Sequence, residues 1–137
     1  MKKIIVIIIS IIIYSCERNE SSPNFILFIA DDVSWDDLRC YGNNDVKTPN
    51  IDNLAKNGII FKNTYLTTSS CSPSRNSILT GRYPHNTGAA ELHTMPPIDM
   101  ISLPEILKSK GYFTLQAGKF HMGDYAMRGF DEVHDDR

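Results

Sequence analysis

The sequence predicts an α/β domain, with helices packed on a mostly parallel sheet. Three observations lead there. Residues 24–30 form an unbroken apolar run of strand length, rich in β-formers, that ends on Asp31-Asp32. Thr48-Pro49 supplies a helix N-cap and a first-turn proline. Along the chain the patterns then read strand, helix, strand, helix, helix, strand.

Each element has a local reason. Residues 24–30 show no alternation, so they are expected to be a buried central strand. After Thr48-Pro49, Ile51, Leu54 and Ala55 share one helical face and Gly58 is a natural stop. Residues 59–66 have alternating β character. Residues 70–72 offer a cap for a helix over residues 73–80. Ser102-Leu103-Pro104-Glu105 opens another helix, which carries Ile106 and Leu107 and ends at Gly111. Residues 112–117 form a further strand and run into Gly118-Lys119-Phe120-His121. Ligands of such sheets bind beyond the carboxyl ends of the strands. Asp31-Asp32 follows one strand and Lys119 and His121 follow another, so these groups are expected on one sheet edge.

The chain has 137 residues, enough for one small domain, and a formal net charge of −2. That balance gives no basic surface for nucleic acid, so attraction for an anion must come from local cations. Met1-Lys2-Lys3 followed by an isoleucine-rich stretch over residues 4–13 is too short to span about 30 Å of hydrocarbon, which takes about 20 residues. It fits the apolar part of an export signal over residues 1–16. Cys16, before a polar tether over residues 17–23, resembles the lipidated cysteine of a bacterial lipoprotein, although Tyr14 is bulky for such a box. An ordinary signal or a short uncleaved anchor is the alternative. Cys40 is expected to be a small buried hydrophobe.

The groups that carry chemistry begin with Cys71-Ser72-Pro73-Ser74-Arg75 at a helix start, followed by Leu79-Thr80-Gly81-Arg82. A sulfur nucleophile at a helix N-terminus with an arginine four residues on makes a site for anions. Asp31 and Asp32 offer hard oxygen ligands from a strand-to-loop bend, which suit Ca²⁺ or Mg²⁺. Lys119 and His121 lie two apart, so on an extended segment both face one anion.

The run around Cys71 resembles the signature of type I sulfatases. Phe28-Ile29-Ala30-Asp31-Asp32, then Asp36-Asp37-Leu38, Tyr41-Gly42 and Thr48-Pro49-Asn50-Ile51-Asp52, is similar to the opening of that family's domain. Gly118-Lys119-Phe120-His121-Met122-Gly123 is similar to its Gly-Lys-Trp-His-x-Gly segment, with Phe120 for tryptophan. Asn76 stands where many members have a small residue. The resemblance covers residues 24–134 and implies an alkaline-phosphatase-like α/β fold. It implies that Cys71 is oxidised to formylglycine, whose hydrate is the nucleophile: one hydroxyl attacks sulfur and the other later expels sulfate. It makes Asp31, Asp32 and residue 71 ligands of Ca²⁺, with Mg²⁺ second. Arg75 would steady the modified side chain, Lys119 would contact sulfate, and His121 would pair with the hydroxyl or the sulfate. Asp36, Asp37 and Asp52 inherit no such role, and His85, His93 and His134 have weaker claims. Residues 69–75 and 88–93 resemble the sulfamidase (heparan N-sulfatase) branch, while sulfate esters of glycans stay equally open.

The implied partners are a sulfated glycan, a sulfatase-modifying enzyme and a membrane reached through lipid on Cys16. The implied location is the bacterial cell envelope. The family pattern also continues with an Asp-Asn pair, a second histidine and another basic residue that this chain does not hold. The chain is therefore expected to be an incomplete part of the catalytic domain, inactive and poorly soluble by itself. Two other readings are a phosphoester hydrolase of the same architecture, which would use Ser or Thr as nucleophile, and a non-catalytic lipoprotein that binds sulfated glycans.

Overall fold

The computed structural model describes residues 22–135. The export signal, Cys16 and most of the tether lie outside those residues. Two compact units divide the chain, Met1–Ala30 and Asp31–Arg137.

In the first unit, residues 22–30 are exposed and form neither helix nor strand. The expected buried strand is therefore absent: Ile26 is 79% exposed and Phe28 86%. The side-chain pattern suits a strand, but a strand exists only through its ladder. No ladder partner is present among the described residues.

The second unit opens with two 3-10 turns, Trp35–Asp37 and Arg39–Tyr41. Trp35 is exposed and meets Tyr41 edge-on. Cys40 is free and half-buried, less enclosed than expected. Helix α1, Pro49–Asn57, starts as Thr48-Pro49 predicts, and Thr48 Oγ1 donates to Asp52 Oδ1 at 3.0 Å. Its apolar face is not covered: Ile51 and Leu54 are exposed. Residues 59–66 are likewise irregular and exposed, for the same want of a ladder.

The packed part lies further on. Helix α2, Cys71–Thr80, buries Ser72 to Ser77 and Leu79. Gly81 ends it in the left-handed region, with its N–H on Ser77 O. Helix α3, Leu103–Ser109, has the capping box its sequence predicts: Ser102 N donates to Glu105 Oε2 at 2.8 Å. Strand β1, Leu115–Ala117, pairs in parallel with β2, Glu132–His134, in the register Leu115↔Glu132 to Ala117↔His134. A parallel pair needs a crossover, and this one carries the short helix α4, Asp124–Met127. The residues just before the pair lock it. Thr114 N donates to Asp131 Oδ2 at 2.9 Å, and Asp131 N returns to Thr114 O at 2.8 Å. Leu79, Phe120, Met122, Tyr125 and Ala126 form the buried core, with Met100, Phe130 and Val133 against it.

One exposed arginine ties three segments together. Arg128 Nε donates to Glu105 Oε1 at 2.5 Å, Nη2 donates to Met100 O at 2.8 Å, and Nη1 donates to Ile98 O. The hydrogen bond from Arg128 holds the Glu105 carboxyl below its ordinary value of 4.5, against some desolvation. A depressed carboxyl pKa contributes stability above the unfolded value and loses it as pH falls through the folded one. The urea midpoint of the wild type is therefore expected to fall below pH 4.5, and Glu105→Gln to show a flatter profile there. Equal slopes would contradict the contact.

Gly129 leaves no room for a side chain: an added Cβ would lie 2.9 Å from Glu105 N, Pro104 Cγ and Ser102 Oγ. Gly129→Ala is expected to destabilise by about 1–3 kcal/mol through overpacking of that seam, read by urea denaturation. An unchanged midpoint would show that the seam yields.

Candidate active site

Helix α2 begins at Cys71 itself, two residues earlier than the sequence pattern indicates. Ser70 sits before it in extended conformation, and Ser74 N donates to Ser70 O at 3.0 Å. Pro73 falls in the first turn, where a missing N–H costs nothing. Cys71 therefore stands at the positive end of a helix, half-buried among free N–H groups.

Arg75 is one turn on and so shares Cys71's side of the helix. It is only 6% exposed. A buried guanidinium needs partners on its donors. Its Nη1 donates to Lys119 O at 2.7 Å and its Nη2 to Asp31 Oδ1 at 3.3 Å. Lys119 Nζ meets the other carboxylate oxygen, Asp31 Oδ2, at 2.5 Å. The Lys119 hydrogen bond, seconded by Arg75, holds the Asp31 carboxyl below the usual carboxylate range. The same contact, with the negative charge of Asp31, raises Lys119 above the usual lysine value.

Phe120 and Met122 are buried in the core, and the residues between and beside them turn outward. That alternation delivers Lys119 and His121 to the site. The segment is not simply extended, however, because His121 has φ of 46°. Asp32 is also left-handed, with φ of 56°. This turn brings its carboxylate back beside that of its neighbour. Ligand atoms of Asp31, Asp32 and Cys71 all lie within 4.8 Å of one another. Oxygens around one Ca²⁺ lie about 2.3–2.6 Å from it, hence no more than about 5 Å apart. The three positions fit a single cation, and the two carboxylates suit a hard one; the sulfur does not.

Six residues singled out from sequence thus meet here. Asp31, Asp32, Cys71, Arg75 and Lys119 form one connected group, and His121 joins through His93. His93 Nδ1 and His121 Nε2 are 3.1 Å apart, and His93 N donates to Ser72 Oγ, beside Cys71, at 3.3 Å. Sequence reasoning ranked His93 low, and its spacing from Cys71 gives no signal. The other candidates do other work. Asp37 Oδ2 accepts from Ser34 N, and Asp52 accepts from Thr48. His85 stacks on Tyr83, and His134 meets Glu132. Asn76 is fully buried and accepts Tyr125 Oη–H at 2.9 Å, which explains a polar residue at a packed position. Desolvation pushes that tyrosine up to about 12, so it stays a donor.

The chain thus forms a parallel-sheet α/β unit that carries a cysteine at a helix start beside paired carboxylates and two cations. The sulfatase family model matches residues 23–136, and the chain belongs to the sulfatase family. It is 40% identical over 107 residues to arylsulfatase A of Homo sapiens, covering 74% of this chain and 21% of that protein. It is 42% identical over 111 residues to N-acetylgalactosamine-6-O-sulfatase of Bacteroides thetaiotaomicron, covering 77% and 22%. Among solved structures, Ps i-CgsB matches with a TM-score of 0.79 at 39% identity, over 84% of this chain and 28% of that one. BT4656, solved with its substrate D-glucosamine-2-N,6-O-disulfate, matches with a TM-score of 0.77 at 35% identity, over 82% and 23%. The fold is the alkaline-phosphatase-like α/β fold of these sulfatases. The chain spans about a fifth of the length of the curated relatives it matches.

Exposure decides what each cation is worth. Arg75 is buried and Lys119 Nζ is not. Arg75→Met is expected to cost about 1–3 kcal/mol, because it strips donors from the Lys119 carbonyl and Asp31. Lys119→Met is expected to cost less than Arg75→Met, because exposed pairs contribute little. Urea denaturation of both variants checks the order, and a reversed order would contradict it.

Proposed function

We propose that the protein hydrolyses sulfate groups, as esters or N-sulfates, on a sulfated glycan. In this reading residues 1–16 are an export signal of the lipoprotein type and residues 17–23 a tether. Residues 24–137 belong to a catalytic domain held at a bacterial cell envelope through lipid on Cys16. The observation that carries the activity is the meeting of Asp31, Asp32 and Cys71 within 4.8 Å, beside Arg75 and Lys119. Ulvan-active and galactosamine-6-sulfatase relatives support a glycan.

The Cys71 sulfur stands in for an oxygen of formylglycine, made by a separate modifying enzyme. That group would supply a nucleophilic hydroxyl, and Asp31, Asp32 and residue 71 would hold a Ca²⁺ that lowers the hydroxyl's pKa. The chain's own groups do the rest. The α2 N-terminus and Arg75 favour negative charge at residue 71. The Lys119 ammonium is displaceable from Asp31, because both partners are over a third exposed. Freed from Asp31, Lys119 would pair with a sulfate oxygen. His121, on the next outward position, handles the proton of the hydroxyl.

The test is sulfate release from glycosaminoglycan oligosaccharides by the protein as its own cells make it. Cys71→Ala is expected to lower kcat at least about 10³-fold, as loss of a nucleophile does. Asp32→Asn is expected to keep the fold within about 0.5 kcal/mol, being exposed, while removing the Ca²⁺-induced rise in Tm. Undiminished sulfate release by Cys71→Ala would overturn the reading.

A further inference from the structure

Among the described residues, three non-glycine residues have left-handed φ: Asp32 at 56°, His93 at 65° and His121 at 46°. L-residues avoid this region, and those held there concentrate where a side chain is needed in one place. Asp32 and His121 already belong to the site. His93 is the third, and it touches His121.

The backbone around His93 is a closed turn. Thr94 N donates to Glu91 O at 3.1 Å, Thr94 Oγ1 donates to the same carbonyl at 2.6 Å, and Glu91 N donates to Thr94 Oγ1 at 3.2 Å. His93 is the third residue of that turn. A positive φ there favours glycine or asparagine. The turn is docked by His93 N on Ser72 Oγ at 3.3 Å, one residue from Cys71. From this position the ring reaches His121, with ring centroids 5.1 Å apart and Nδ1 of His93 3.1 Å from Nε2 of His121. A hydrogen bond between two neutral imidazoles needs a proton on one nitrogen and a lone pair on the other. The tautomers of the two rings are therefore coupled.

We propose that His93 is a positioning residue for His121: its Nδ1 fixes the ring orientation and tautomer of His121 beside residue 71. What His121 then does rests on the sulfatase reading; the coupling of the two rings does not. A polar side chain placed by a strained turn, docked next to the nucleophile position and bonded to a site histidine, has no role in the core. Its ring is exposed and buries no apolar surface worth the strain.

Two substitutions separate the ring from the backbone. His93→Gly relieves φ and keeps the N–H on Ser72, but deletes the imidazole. His93→Asn tolerates the same φ and places a side-chain amide where Nδ1 stood. In the native protein, His93→Gly is expected to fold as the wild type does and to lose at least about tenfold in kcat with KM little changed. That loss is bounded by the 10²–10⁴ that an acid–base group supplies. His93→Asn is expected to restore most of it. Independently of activity, ¹⁵N NMR is expected to show a coupling across the Nδ1–Nε2 hydrogen bond in the wild type. It should also show one His121 tautomer there and a mixture in His93→Gly. Wild-type kcat in His93→Gly, or no coupling in the wild type, would overturn the proposal. A wild type that releases no sulfate yet shows the coupling would sink the sulfatase reading alone.

Discussion

The Asp31 carboxylate, shared between Arg75 and Lys119, is the contact on which the rest depends. One oxygen takes a guanidinium N–H at 3.3 Å and the other an ammonium at 2.5 Å. The three residues are far apart in sequence, and this one carboxylate is where they meet. It also explains why Arg75 tolerates burial. A guanidinium in a packed helix face needs a carbonyl and a carboxylate in fixed directions, and Lys119 O and Asp31 supply them.

Everything else serves to deliver those groups. Phe120 and Met122 anchor the segment that carries Lys119 and His121, and the same core holds Leu79, one turn beyond Arg75 on helix α2. The β1–β2 register ends at Ala117↔His134, and Gly118 N then donates to His134 O at 2.8 Å. The site segment thus leaves a fixed strand end. Left-handed backbone is concentrated where the site's side chains converge, at Asp32, His93 and His121. Hydrogen bonds within residues 91–94 and to Ser72 make the conformation of His93 persist.

The local chemistry of the site was legible in the sequence because it is written in short motifs. Cys71 to Arg75 is a helix start, and the helix forms there. Ser102 and Glu105 are a capping box, and the bonds are made. Elements that depend on distant partners read less well. Residues 24–30 and 59–66 have strand-like patterns, but pattern fixes only which side chains suit a sheet, not whether a neighbour is at hand. Strand β2 escaped notice because three residues, two of them charged or ionisable, carry no periodicity. His93 escaped for a related reason. Its meaning comes from a turn and from a contact 28 residues away, neither of which spacing reveals.

The central claim is that position 71 sits at a helix start, beside paired carboxylates and two cations, as the nucleophile position of a sulfatase. The most direct test is the mass of the peptide containing residue 71, taken from the protein purified from its own cells. The account predicts an aldehyde, or its hydrate, in place of the thiol. An intact cysteine throughout the population would contradict it, and would leave the cluster of Asp31, Arg75 and Lys119 as a binding site without a nucleophile.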